Sequence, residues 1–111
     1  MKRIIIGFVV LVFVTNAEAF VRMTLTHTVA SVGVSSAQAL AANTSRRYLK
    51  LINDHATQVI YCKFGVTAVV NEGIRINAAG GVVTFEDLMP MTALNCIATG
   101  ASTPLLISQG Q

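Results

Sequence analysis

The chain has 111 residues, of which 53% are hydrophobic and 12% are charged, and its formal net charge is +3 at pH 7. This length suits a single domain. The apolar content excludes a disordered tail, and the small net charge excludes the basic surface that is typical of a nucleic-acid-binding protein.

Residues 1–19 contain the three parts of a secretory signal peptide, in the usual order. Lys2 and Arg3 form a basic start, residues 4–14 are an uninterrupted apolar run, and residues 17–19 form an A-x-A cleavage pattern. A run of eleven residues is too short to span a bilayer, which takes about twenty. Two interpretations stay open: the segment is removed before Phe20, or it is retained as an apolar arm or anchor that contacts a membrane. We divide the chain into this segment and one β-sandwich domain, residues 20–111.

Beyond residue 20, apolar and polar residues alternate with a period of two, which is typical of β-strands. In VRMTLTHTV, the odd-numbered residues from Val21 to Val29 share one face. This apolar face includes His27, which we expect to be a core or interface histidine with one hydrogen-bonded nitrogen. Only SSAQALAAN, residues 35–43, has a composition that suits a helix, and at barely two turns it fits a strand or a linker equally well.

Further short runs alternate in the same way, and turn signals of Gly, Asn, Asp and Pro separate them at intervals of about ten residues. The side chains that they direct towards a core are Leu49, Leu51, Ile60, Cys62, Phe64, Ile74, Ile76, Val83, Phe85, Leu94, Cys96, Ala98, Leu105 and Ile107. The pattern predicts an all-β fold, a small antiparallel β-sandwich or jelly-roll-like barrel of about seven to eight short strands. RRYLKLINDHATQVIYCKFG, residues 46–65, is predicted to be its central hairpin, with the turn at residues 53–57.

The ionisable residues form no recognisable catalytic or metal-binding motif. His55 lies in the predicted turn without a second histidine or a paired carboxylate nearby, so we expect a turn residue and not a ligand or general base. His27 lacks the further ligands that a metal requires. Glu86 and Asp87 would point to opposite sides of a strand and could not act as a carboxylate couple. The sequence therefore predicts no enzymatic activity, no metal and no cofactor.

Cys62 and Cys96 both fall on core-facing positions. In an exported protein, a disulfide between them would add about 3–4 kcal/mol of stability. The alternative is two small buried thiols. The sequence leaves both open, because it does not bring the two Cα atoms within bridging distance.

Four basic residues, Arg46, Arg47, Lys50 and Lys63, are candidates for a patch that contacts an acidic partner. No aromatic stacking platform accompanies them. A solvated sheet face, whose charges discourage aggregation between sheet edges, is the stronger interpretation. We expect no specific nucleic acid as a partner.

The segments RRYLKLIN, ATQVIYCKFG, GIRINAAGG, FEDL, ALNCIATG and LLISQG, in this order, resemble small all-β proteins of bacteriophages over residues 46–110. The proteins that they resemble are similar to virion components: head decoration or cement proteins, spikes and fibre-associated subunits. The resemblance implies a non-enzymatic virion protein that forms homo-oligomers and binds other capsid proteins. The signal-peptide-like start departs from that pattern, because such proteins normally assemble in the cytoplasm. A virion that contains a membrane would accommodate it, and so would the alternative, a secreted or periplasmic bacterial β-sandwich with a binding or structural role.

Overall fold

The computed structural model describes residues 22–111, and in this range the chain forms eight β-strands and no helix. No helix in the described range is therefore long and apolar enough to cross a membrane. The strands are β1 Leu25–Val32, β2 Ala37–Leu40, β3 Tyr48–Asn53, β4 Ile60–Phe64, β5 Ile74–Ile76, β6 Gly81–Phe85, β7 Leu94–Ala98 and β8 Thr103–Gly110. The apolar segment 1–19 and its cleavage pattern lie outside the described residues.

The strands form two four-stranded antiparallel sheets. The β1 sheet has the order β1-β8-β3-β6, and the β4 sheet has the order β2-β7-β4-β5. Four of the pairings join the first strand to the eighth, the second to the seventh, the third to the sixth and the fourth to the fifth. The pairs β3–β8 and β4–β7 complete the two sheets. The predicted all-β antiparallel fold of about eight strands is confirmed.

One hydrophobic core lies between the sheets and receives side chains from both. Its fully buried members include Leu49, Leu51, Leu105 and Ile107 from the β1 sheet and Ile60, Cys62, Ile76, Leu94, Cys96 and Ala98 from the β4 sheet. Phe64 and Phe85 pack against this core, with their rings edge to face and their centroids 5.5 Å apart. Such a contact between the sheets satisfies the preferred geometry of an aromatic pair. The core-facing positions predicted from residue 49 onward are confirmed.

The predicted hairpin at residues 46–65 is wrong. β3 pairs with β6 and β8, whereas β4 pairs with β5 and β7, so the chain passes from one sheet to the other between Asn53 and Ile60. Both strands have the predicted inward faces. Alternation reports which face of a strand is buried, but it carries no information on which strand lies beside it.

The apolar face of the first strand points to solvent, so of the two environments expected for His27 the core is wrong. Met23, Leu25 and Val29 are 40%, 49% and 67% exposed, and His27 is exposed with them. The opposite face of β1 turns towards the core, where Val32 is buried and Ala30 packs against the core cluster. The stretch that suited either a helix or a strand contains β2, whose register with β7 shifts between Gln38 and Leu40.

Candidate interaction surface

Cys62 and Cys96 lie directly opposite each other on β4 and β7, and a disulfide joins them. Their Cα atoms are 4.2 Å apart, and both residues are almost completely buried. The bridge ties together the two central strands of the β4 sheet. Since these are the chain's two cysteines, no thiol remains free.

Arg46, one of the four candidate patch residues, is buried. Its Nε donates to Gln109 Oε1 at 2.7 Å, Nη2 donates to the Ala41 carbonyl at 2.8 Å, and Nη1 donates to the carbonyls of Pro90 and Thr92. Burial lowers the pKa of the Arg46 guanidinium from its ordinary value. Arg46 thus connects the β2–β3 and β6–β7 connections to β8 and belongs to the interior of the protein.

Lys50 and Lys63 lie on different sheets. Arg47 is exposed just before β3, and Lys50 points outward from the β1 sheet, on the side opposite Leu49 and Leu51. Lys63 points outward from the β4 sheet, where its Nζ lies 2.7 Å from Glu72 Oε1. The structure therefore places Arg46 in the interior, and Lys50 and Lys63 on the outer faces of two different sheets.

The two histidines occupy different environments. Nδ1 of His55 accepts hydrogen bonds from the backbone N–H groups of Thr57 and Gln58, at 3.1 and 3.0 Å. The His55 N–H in turn donates to Asn53 Oδ1 at 3.0 Å. His55 therefore organises the connection between β3 and β4, as a side chain that bonds to its own turn. His27 is exposed, and its Nδ1 lies 2.8 Å from Ser108 Oγ.

Within residues 22–111 the protein has no cavity or cleft that would enclose a small molecule. No group of three or more His, Cys, Asp or Glu side chains in that range converges as metal ligands would. Glu86 and Asp87 follow the end of β6 and are both exposed. The distinctive features of the surface are the outer faces of the two sheets.

The outer face of the β4 sheet is covered by residues 65–73, the connection between β4 and β5. Tyr61 Oη donates to Asn71 Oδ1 at 2.9 Å, and Asn95 Nδ2 donates to the Val66 carbonyl at 2.8 Å. Tyr61 is only 5% exposed as a result, although it points away from the core. Residues 65–73 therefore shield this part of the outer face from solvent.

The outer face of the β1 sheet has no such cover among the described residues. The register places Val29, Leu106, Ile52 and Val82 side by side across all four strands. We call these four residues the outer row. Val29 and Val82, at its two ends, are 67% and 51% exposed, and the two middle residues are partly buried. A contiguous row of apolar side chains that is exposed at both ends is a feature of surfaces that contact another protein.

Sequence reasoning missed the outer row because it searched for one apolar face per strand. The signal was present as adjacent apolar pairs, Leu51-Ile52, Val82-Val83 and Leu105-Leu106. Neighbouring residues of a strand point to opposite faces, so each pair supplies one side chain to the core and one to the outside.

Comparison with known proteins identifies no family for this chain. The chain matches no protein-family model, no curated protein and no solved structure.

Proposed function

We propose that this chain is a structural subunit of a bacteriophage particle, a decoration, cement or spike component that binds neighbouring capsid proteins and is not an enzyme. The observation that carries the proposal is the strand pairing, first with eighth, second with seventh, third with sixth and fourth with fifth. This nested pairing supports a jelly roll, an architecture that occurs in viral capsid and lectin domains. The bacteriophage-like motifs at residues 46–110 point in the same direction.

The outer row supports a role in protein contact. Its four apolar side chains span the β1 sheet, while the corresponding face of the β4 sheet is occupied by the chain's own residues 65–73. Burying the exposed parts of Val29 and Val82 in an interface would contribute roughly 25 cal/mol for each Å² of apolar surface removed from water. A capsid neighbour that packs on this face would gain that free energy.

The test is the protein composition of purified particles, together with incorporation of two matched variants. Val82 and Thr84 are both exposed on β6 and both point outward, but only Val82 belongs to the outer row. We expect the unaltered chain to be present in the particles in fixed stoichiometry after a high-salt wash. Val82→Glu should be lost from them, and Thr84→Glu should be retained. Particles that lack the chain would refute the proposal.

A second candidate function is favoured by the Cys62–Cys96 disulfide. Disulfides persist in oxidising compartments and are rare in the cytosol, where tailed virions assemble. The bridge supports a secreted or periplasmic β-sandwich with a binding or structural role, for which residues 1–19 would act as a signal peptide.

The N-terminal sequence of the natural protein and the oxidation state of its cysteines distinguish the two functions. A chain that begins at Phe20, is found in the periplasm or medium and resists alkylation until it is reduced would favour the secreted protein. A chain that begins at Met1 and is found in particles would favour the virion subunit.

A further inference from the structure

We propose that β1 pairs with β1 of a second copy of this chain, so that two β1 sheets join into one continuous eight-stranded antiparallel sheet. β1 lies at the edge of its sheet and pairs only with β8 among the described residues. A second copy would be the first partner of the subunit, and the biological role of the dimer rests on the proposed function. Dimerisation itself can be measured on the isolated protein.

The backbone of β1 is arranged to accept another strand. Thr24 exchanges two hydrogen bonds with Gln111, and the register from Leu25 to Val32 continues without a shift. In an antiparallel ladder, hydrogen-bonded and non-hydrogen-bonded positions alternate. Even-numbered residues therefore bond to β8, whereas Leu25, His27, Val29 and Ser31 direct their N–H and C=O groups towards the open side.

The other three edge strands have features that oppose pairing, and β1 does not. β5 has three residues, with Arg75 at its centre, and β2 has four residues and a register shift. β6 is followed directly by the charged residues Glu86 and Asp87. Short strands, charges and irregularities are the usual means by which proteins prevent contact between sheet edges. β1 has eight residues and contains no Asp, Glu, Lys, Arg or Pro, and its pairing has no irregularity. An edge of this length without protection is a template for another strand.

The strand is complementary to itself about Thr28. A two-fold axis that passes beside Thr28, perpendicular to the sheet, pairs residues 24–32 of one copy with residues 32–24 of the other. His27 then lies opposite Val29 of the second copy, and Leu25 lies opposite Ser31. These pairs would form roughly eight backbone hydrogen bonds, two for each hydrogen-bonded pair. No ionisable side chain faces its own copy in this register.

The partner strand would also cover apolar side chains that β1 leaves in solvent. Leu25 and Val29 are 49% and 67% exposed. Cross-strand neighbours contribute about 0.2–1 kcal/mol each relative to alanine pairs. The outer row ends at Val29, so the joined sheet would place the two outer rows on one continuous face.

Disulfide trapping tests the proposed register. In the dimer, the two Thr28 Cα atoms face each other at a non-hydrogen-bonded position, at a separation of about 4.5 Å, within bridging range. The Thr26 Cα atoms would be about 13 Å apart, four residues along the strand. Both threonines are exposed on the same face of β1. With the full natural chain, mild oxidation should convert most of Thr28→Cys, but not Thr26→Cys, into a covalent dimer. Equal cross-linking of both variants would overturn the proposal.

Hydrogen exchange at low and high protein concentration supplies a second readout that needs no mutation. Light scattering should show a monomer–dimer equilibrium. In the dimer the amides of Leu25, His27 and Val29 should become protected, while those of Thr26 and Thr28 should be protected at every concentration. A protein that stays monomeric, or whose odd-numbered amides are already protected as a monomer because residues 1–21 occupy the edge, would refute the proposal.

Val82→Glu separates this proposal from the proposed function. Val82 lies at the opposite edge of the β1 sheet from β1. The variant should dimerise as the unaltered protein does, even if it is lost from particles. If Val82→Glu abolished dimerisation as strongly as Val29→Glu, the contact would be stacking of sheet faces, and edge pairing would be wrong.

Discussion

Arg46 donates a hydrogen bond from Nε to Oε1 of Gln109, 2.7 Å away, and so connects the segment before β3 to β8. The contact is part of a buried network in which one guanidinium also satisfies three backbone carbonyls. A side chain that the sequence suggested as a surface contact is instead part of the interior.

Replacement of Arg46 by methionine should lower the free energy of unfolding by about 3 kcal/mol, because buried acceptors would lose their donors. Arg47→Met is the matched control. Arg47 is exposed and adjacent in sequence, so its replacement should change stability by less than about 0.5 kcal/mol. Urea denaturation of both variants measures the difference. Similar losses for the two variants would contradict the buried role of Arg46.

The Cys62–Cys96 disulfide should contribute about 4 kcal/mol to stability, since it closes a loop between residues that are 34 apart in sequence. Reductant should therefore lower the unfolding midpoint of the unaltered protein. The double variant Cys62→Ala and Cys96→Ala should already be destabilised, and reductant should not shift its midpoint further. Two thiols that react with an alkylating agent in the folded, unreduced protein would contradict the bridge.

Asn53→Asp should be severely destabilising, by more than about 3 kcal/mol, because it places a carboxylate where two carbonyls accept hydrogen bonds. Asn53 is fully buried, and its Nδ2 donates to the carbonyls of Gln58 and Ile76 at 2.7 and 3.0 Å.

Asn77→Asp is the control for this substitution. Asn77 is exposed, and its Oδ1 accepts a hydrogen bond from Arg75 Nε at 2.7 Å, an interaction that aspartate retains. Urea denaturation should show little change for this variant. If the two substitutions were equally tolerated, the amide orientation of Asn53 would be wrong.

Gly73→Ala should cost several kcal/mol, whereas Gly33→Ala should change stability by less than about 0.5 kcal/mol. Gly73 has a φ of 76°, and a Cβ there would lie 2.6 Å from the Cys62 carbonyl oxygen. A Cβ at Gly33 would meet no atom within 4 Å. Thermal denaturation measures both effects. A stable Gly73→Ala protein would show that the connection between β4 and β5 can move away from β4.

Alternation in the sequence was sufficient to find the fold class and most of the core. From Leu49 to Ile107, the apolar residues at every second position of a strand are the ones that lie in the core between the two sheets. The exception was β1, whose more apolar face lies outside. β1 lies at the edge of a sheet whose outer face also carries apolar side chains. The more apolar side of such a strand need not point towards the core.

The candidate site was less predictable. Arg46 and Arg47 are adjacent and chemically identical, yet one is buried and the other is exposed. Arg46 is buried because Gln109, 63 residues away in sequence, and three carbonyls, 5 to 46 residues away, accept its hydrogen bonds. The outer row likewise depends on register across four strands, and a single strand does not reveal it.

The sequence by itself determined that the chain is built of short strands, which residues from Leu49 onward face a core, and that His55 lies in a connection between two strands. These properties are local, because side-chain alternation and turn chemistry act within a few residues. Only the tertiary structure decided that β3 and β4 belong to different sheets, that Cys62 faces Cys96 and that Val29, Leu106, Ile52 and Val82 form one row. Each of these depends on which strands become neighbours and in what register, and pairing between strands distant in sequence is settled by the packing of the whole core.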